Sequence, residues 1–295
     1  MALDPESAEA YKALGYAEEA LGRDADGLKS YLKAVELNPN FAPAINEIAS
    51  AKMEAGRIDE AVIWIRKAIR LQPGSARYYA LAALLYYDLG LDDSARQWFE
   101  RALEFDPDYV FPQFILAYLD LYAGRSGAAW SRMEKLLKAR PTDAEVLEEA
   151  GDVKLLSGAW QEAADLYAKV GSATRRGNAT CNKLGLALLK LGRKSEADKL
   201  LEDNLAALLK SPRIDIKGSA VPYEIASIQT MLIRPKDALD WLAKSVELGH
   251  VDRWIAVDPA WEGLRTEPRY LEITARYQNG IEAMRKRVRE AGLDQ

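Results

Sequence analysis

Four places in the sequence carry residue types that could do chemistry. Gly192-Arg193-Lys194-Ser195 has the ending of a phosphate-binding loop, whose backbone N–H groups and lysine would cradle a nucleotide. Position 187, where such a loop needs its earlier glycine, is Ala187, and the segment falls in a turn between two helical patterns instead of after a strand. Cys181 could be a nucleophile and His250 a base or metal ligand, but each is the one residue of its kind in the chain. A zinc site needs three or four such ligands, so Cys181 reads as a small inward-packing side chain and His250 as a helix-end residue. Carboxylates are plentiful, yet nothing in their spacing fixes a pair across a pocket for acid and base work. The basic run Arg285, Lys286, Arg287 and Arg289 could attract an acidic partner, although cations are favoured near a helix C-terminus in any case. These readings predict no catalytic residue, no cofactor and no metal, and hence a protein that is not an enzyme.

What could position a binding site is the long-range order of the chain. Glycine recurs every 34 residues at Gly22, Gly56, Gly90, Gly124, Gly158 and Gly192. Two further positions stay small in every copy: Gly15, Ala49, Ala83, Ala117, Gly151, Gly185 and Ala226, then Gly27, Ala61, Ala95, Ala129, Ala163, Ala197 and Ala238. Within the unit Ala76 to Tyr109, apolar residues recur at helical spacing in two stretches, and the glycine between them closes the first helix by taking a left-handed conformation. Pro39, Pro73, Pro107 and Pro141 stop the second, because the residue before proline avoids helical geometry. The small pairs let the two helices cross closely.

This pattern closely resembles the tetratricopeptide repeat. The resemblance implies an all-α fold, a right-handed superhelical solenoid of antiparallel helix pairs with capping helices at the C-terminus. About seven units are expected over residues 8–252, starting at 8, 42, 76, 110, 144, 178 and 219. Copies five and six lack the terminal proline, with Arg175 and Leu209 in its place; Pro212 to Gly218 forms an extra loop, and Ile233 replaces the glycine of the last copy. Residues 253–295 are expected to form a helical cap, in which a helix from about Pro268 to Glu290 buries Tyr270, Ile273, Tyr277, Ile281 and Met284 or Val288 against the seventh repeat. Residues 1–7, with Leu3-Asp4-Pro5 in the place of the later Leu-x-Pro endings, look like the tail of an upstream repeat or the start of the chain, with Met1-Ala2 an artificial beginning. Tyr11, Leu14, Leu28 and Tyr31 would then face an absent neighbour, which predicts an upstream continuation or self-association through the first repeat.

The ending Trp241-Leu242-Ala243-Lys244-Ser245-Val246-Glu247-Leu248-Gly249, with Asp258-Pro259, Leu264-Arg265 and Glu267-Pro268-Arg269-Tyr270, adds a second resemblance. It is similar to the C-terminal end of bacterial repeat arrays fused to winged-helix regulators, class III cyclases or protein kinases. That likeness implies a sensory or regulatory domain of a larger signalling protein, as the alternative to a free-standing scaffold.

In tetratricopeptide arrays the first helices line a concave groove, and positions two, five, nine and twelve of each copy face it. Carried onto this sequence, the likeness implies a peptide-binding groove containing Tyr16, Asn46, Arg77, Tyr87, Phe111, Phe114, Tyr118, Glu145, Glu148 and Asp152, with Tyr122 beside them. An aromatic centre flanked by carboxylates suits a protein or peptide segment with apolar anchors and some positive charge. The competing reading is that Phe114, Tyr118 and their neighbours pack inside the scaffold and that the acidic trio is solvated surface. Arrays that grip heat-shock chaperone tails use a set of Lys, Asn and Arg; Lys12 and Arg77 fall at matching places, but Tyr16, Ser50 and Leu81 do not, so such a tail is not the expected ligand.

Composition narrows the partners further. A net charge of −5 over 295 residues argues against a general grip on nucleic acid or an anionic membrane. No apolar run reaches the roughly 18 residues of a membrane span, and Met1 to Pro5 is too short and acidic for a secretory signal, so a cytoplasmic location is the expectation.

Overall fold

The computed structural model describes residues 6–170, 177–250 and 252–294; the Leu3-Asp4-Pro5 motif and Arg175 lie outside the described residues. First helices α1 (Ala8–Ala20), α3 (Ala42–Glu54), α5 (Ala76–Asp88), α7 (Val110–Tyr122), α9 (Ala144–Leu156), α11 (Gly177–Lys190) and α13 (Val221–Met231) begin at or within two residues of the expected repeat starts. Second helices α2 (Asp24–Leu37), α4 (Ile58–Leu71), α6 (Asp92–Phe105), α8 (Ser126–Ala139), α10 (Trp160–Val170), α12 (Lys194–Leu208) and α14 (Pro235–Glu247) each pack back on the helix before. The short α15 (Trp254–Val257), a 3-10 turn at Pro259–Trp261 and α16 (Pro268–Glu290) complete the chain. Among the described residues there is no strand.

The turn between the paired helices is built the same way each time. At the first, Gly22 N–H donates to Glu19 O at 2.8 Å and Arg23 N–H to Glu18 O at 2.8 Å, which satisfies carbonyls the helix end would leave orphaned. This closure requires a positive φ, and the six repeat glycines take 68 to 76°. The last repeat makes the same closure, Ile233 N–H to Thr230 O and Arg234 N–H to Gln229 O, without a glycine. Ile233 is consequently held at φ 59° with its side chain in solvent. For a β-branched residue that conformation costs about 1–2 kcal/mol, so Ile233→Gly should raise the melting temperature; an unchanged or lower value would mean the strain is relieved elsewhere.

The small positions do what their spacing predicts: Ala49, Ala61, Ala83, Ala95, Ala117, Ala129, Ala163, Ala197, Ala226 and Ala238 are fully buried at the helix crossings. Glycine at the first of these positions goes with a large partner. Gly15 faces the Tyr31 ring and Gly151 the Tyr167 ring; a Cβ on Gly151 would lie 2.5 Å from Tyr167 Cε1. Tyr31 therefore does not look out toward an absent neighbour: its ring is fully buried in the room Gly15 leaves, and its hydroxyl donates to Glu19 at 2.6 Å. Tyr11, Leu14 and Leu28 are half-buried.

The chain divides into two compact units, residues 1–109 with 280–295, and residues 110–279. In the first, helix pairs α1/α2, α3/α4 and α5/α6 stack in order. In the second, α7 to α14 stack likewise, and Tyr223, Ala226, Ala238, Leu239 and Leu242 of the seventh repeat enclose Ile255, Trp261, Tyr270 and Ile273. The extra loop joins that end through Gly218 N–H to Leu248 O at 2.8 Å and the Asp215–Lys244 ion pair at 2.7 Å. The final helix departs from expectation in its second half. Only its beginning covers the seventh repeat; from Gly280 on, the chain belongs to the first unit, where Arg285 Nε and Nη2 donate to Leu89 O at 2.9 and 2.6 Å. An unbroken apolar stripe on one helix says how much surface it covers, not whose.

Candidate functional site

Two polar clusters stand on first helices, one in each unit, and they share a construction. A tyrosine at position nine of one copy donates to a glutamate at position six of the next, 31 residues on: Tyr16 to Glu47 at 2.6 Å, and Tyr118 to Glu149. The register of the stacked repeats brings these positions together, since α1 and α3 or α7 and α9 run side by side in successive copies.

In the first unit, Glu47 is 6% exposed and accepts three donors. Besides Tyr16, these are Asn46 Nδ2 at 3.1 Å and Arg77 Nη2 at 3.2 Å. Burial and the Glu47 carboxylate push the Tyr16 phenol up to about 12, so it stays a donor. Burial pulls the Arg77 guanidinium down, but Glu47, Tyr16 and Tyr109 together outweigh it and the net shift is upward. Asn46 Oδ1, in a residue 1% exposed, accepts from no donor among the described residues. Turning the amide over would set that oxygen against the Glu47 carboxylate, so the orphan acceptor is fixed by its neighbour. Lys12 lies 4.6 Å from the Tyr16 ring, and Arg77 is largely in solvent, so the outer surface here is aromatic and cationic.

The cluster in the second unit has the opposite balance. Asp152, 2% exposed, accepts from Tyr118 at 3.0 Å and Tyr167 at 2.7 Å and pairs with Lys183 Nζ at 2.5 Å. Lys183 also reaches Glu148 Oε1 at 3.3 Å and lies 5.4 Å from the Trp254 ring. Burial lowers the affinity of Lys183 for its proton, but the charges of Asp152, Glu148 and Glu149 prevail and raise it, so the ammonium is permanent. Burial, then the Asp152 charge, push Glu149 up to about 7 against the pull of Lys183 and Tyr118. Glu224 on α13 is raised by burial, with Lys183 opposing and Glu148 adding to the shift. Four carboxylates thus gather around one ammonium; among the described residues the further cation that acts on them is Arg213, which favours the charged form of Glu224.

The residues expected in a groove are divided between these two places. Tyr16, Asn46 and Arg77 meet in the first; Tyr118, Glu148 and Asp152 meet in the second. Glu145 is half-buried on the same helix as Glu148, and Tyr87 is buried in the first unit. Tyr122 is half-buried, with the Arg253 guanidinium 4.7 Å from its ring, and Phe111 is half-buried at the start of α7. Phe114 is 2% exposed and presents almost no surface to a partner, because α7 is apolar nearly all round and packs against α8 and α9. Glu47, Glu149, Lys183, Tyr167 and Glu224 were not among the expected residues. Glu47, Glu149, Lys183 and Glu224 all sit at position six, which the groove convention omits; the signal available in the sequence was the Tyr and Glu pair recurring at one spacing in two places.

The other chemical candidates resolve as follows. Gly192 closes a helix hairpin at φ 76° between α11 and α12. Cys181 is partly buried, and burial pushes its thiol up, away from a reactive thiolate. His250 is buried, its Nδ1 3.3 Å from Gly218 O. No group of three or more His, Cys, Asp and Glu among the described residues could hold a metal ion. No helix among them is long and apolar enough to cross a membrane.

Repeated helix hairpins of constant length, closed by one turn and packed through small residues, define an α-helical repeat protein. Profiles of the tetratricopeptide repeat match residues 8–41, 46–110 and 116–174, and the chain belongs to that family. No curated protein matches it. Among solved structures it is similar to a tetratricopeptide repeat protein from Parabacteroides merdae, 13% identical over 93% of this chain and 98% of that one, with a TM-score of 0.59. PilW, a widely conserved type IV pilus biogenesis factor, is 18% identical over 70% of this chain and 95% of that one, with a TM-score of 0.58. A thermophilic repeat protein from Thermus thermophilus is 20% identical over 62% of this chain and all of that one, with a TM-score of 0.56. At these identities the likeness is one of fold.

Proposed function

We propose that this chain is a non-catalytic interaction scaffold, and that the first helices of its second unit bind a protein segment carrying positive charge. The observation that carries this reading is the surplus of carboxylates: Glu148 and Asp152 pair with Lys183, and Glu149 and Glu224 crowd the same ammonium, with Arg213 acting on Glu224 as well. A buried carboxylate without a partner is costly, and a lysine or arginine side chain from a partner would relieve that cost. Phe111 and Tyr122 stand half-buried on α7, the helix that also carries Tyr118 of the cluster. Aromatic contact next to a desolvated charge is the composition of a binding hot spot. The family's general habit of holding protein or peptide partners agrees with this assignment.

Selection from a displayed random-peptide library against the full chain tests it. Recovered sequences should be rich in Lys and Arg beside aromatic or aliphatic residues. Their binding should fall at least about tenfold, the equivalent of about 1.4 kcal/mol, in the double variant Glu148→Gln/Glu224→Gln. Peptides that are acidic, or that bind the double variant equally well, would defeat the assignment.

A further inference from the structure

The last helix supplies a second surface, independent of the acidic cluster. From Gly280 onward, α16 packs with the first unit through one stripe, Ile281, Met284 and Val288, which are 8, 8 and 1% exposed. Around the stripe the contacts are polar and fall on one place, the hairpin between α5 and α6 and the start of α4. Arg285 binds Leu89 O, a carbonyl at the C-terminus of α5, through two nitrogens. Arg287 Nε pairs with Asp59 Oδ2 at 2.5 Å. Past the helix end, Tyr86 OH donates to Leu293 O at 2.6 Å and Ser94 Oγ to Asp294 O at 2.9 Å. This surface reads a helix by three features: a narrow apolar stripe, two arginines, and free carbonyls just beyond the last turn.

We infer that the hairpin of α5 and α6, with Asp59, is a docking site for a basic amphipathic helix, and that the chain's own residues 281–294 occupy it as a removable ligand in cis. Three observations bear on removal. Gln278, Asn279 and Gly280, just before the stripe, are all exposed, and nothing lies within 4 Å of where a Cβ on Gly280 would be. Asparagine and glycine are weak helix formers, so the helix can open at this point at low cost. The apolar grip is small: Ile281, Met284 and Val288 are buried and Leu293 is half-buried. Departure also strands no buried charge: Arg285 and Arg287 enter water, Leu89 O becomes an ordinary solvated helix end, and Asp59 already lies at the first turn of α4, where the helix dipole favours an anion.

The test uses full-length protein and a fluorescent peptide of residues 280–295. In wild-type chain the tethered tail competes at an effective concentration of about millimolar, so the peptide should bind weakly. The variant Val288→Asp, altered on the tail and not on the site, should bind the same peptide about tenfold or more tightly. A peptide carrying Arg285→Ala should lose that binding. Hydrogen exchange keeps the proposal open to failure if the peptide is insoluble: amides 281–292 of the wild type should exchange well before those of α5. Equal peptide binding by wild type and variant, no binding by either, or tail amides protected as long as α5 would each overturn the inference. So would a wild-type dimer that Val288→Asp dissociates, because the tail would then sit on a second copy.

Discussion

The two tyrosine–glutamate clusters use the same addresses in the repeat and reach opposite electrostatic outcomes. Around Glu47 there is one buried carboxylate and three donors, and the cation that answers it, Arg77, has a side chain 59% exposed. In the Glu149 cluster four carboxylates crowd Lys183, which has a side chain only 20% exposed. The difference lies in where the third repeat places its charge. Arg77 stands at position two, at the start of α5, and reaches in from solvent; Lys183 stands at position six and is enclosed by carboxylates of α9. Stacking fixes which positions meet, and the residues placed there decide whether the meeting is a finished structural contact or a charge imbalance that a partner can complete.

The largest test of that contrast removes each cation. Lys183→Met leaves Glu148 and Asp152, 7 and 2% exposed, without their counter-charge, and breaking a buried pair in this way costs about 3–5 kcal/mol. Arg77→Met removes a mostly exposed partner while Glu47 keeps Tyr16 and Asn46, and the loss should be under about 1 kcal/mol. Urea unfolding at pH 7 compares them. Equal losses would mean that Lys183 is screened as Arg77 is, and the distinction between the clusters would fall.

Much of this was legible in the sequence. The 34-residue glycine period and the small pairs gave the helix hairpins and their boundaries, because the turn and the crossing each tolerate few residue types. What escaped was set by contacts between copies. Tyr118, Glu148 and Asp152 were readable as candidates by register, but the partners that give them meaning, Lys183 and Glu149, occupy position six of their copies, which the groove convention omits. Phe114 was left between groove and core for a related reason, and it is buried: on a helix as apolar as α7, periodicity cannot separate the face that meets solvent from the face that meets α9. The second half of α16 was legible as an amphipathic stripe, and its destination was not, since Ile281, Met284 and Val288 would suit any apolar surface and Arg285 binds a main-chain carbonyl that no side-chain pattern announces.

A smaller effect separates the supports of the two clusters. Gly151→Ala would drive a methyl into the Tyr167 ring, and Gly15→Ala would do the same to Tyr31. Each should cost about 1–3 kcal/mol by overpacking and lower the melting temperature accordingly. Their consequences for the charges differ. Tyr167 donates to Asp152 at the centre of the acidic cluster, whereas Tyr31 donates to Glu19, outside the Glu47 contacts. Only Gly151→Ala should also weaken binding of the selected basic peptides; if Gly15→Ala weakens it equally, the ring at Gly151 is packing and nothing more.

The smallest effect is the most specific, because it reads the surplus charge through pH. Glu149 is raised from its ordinary 4.5 to about 7, so between those values the folded chain holds a proton that the unfolded chain has released. The stability from that proton is complete below pH 4.5 and is lost as pH rises through 7. Glutamine imitates the protonated acid and cannot ionise, so Glu149→Gln should match wild type near pH 5. By pH 8 it should exceed wild type by about 1 kcal/mol, less than the full shift implies because the residue is partly exposed and Lys183 moderates the cost. Glu47→Gln should instead lose about 1 kcal/mol at neutral pH, since Tyr16, Asn46 and Arg77 all lose a charged acceptor. Opposite signs at pH 8 would mark one carboxylate as satisfied and the other as one too many. Two losses of the same size would mean that the second cluster is as complete without a partner as the first.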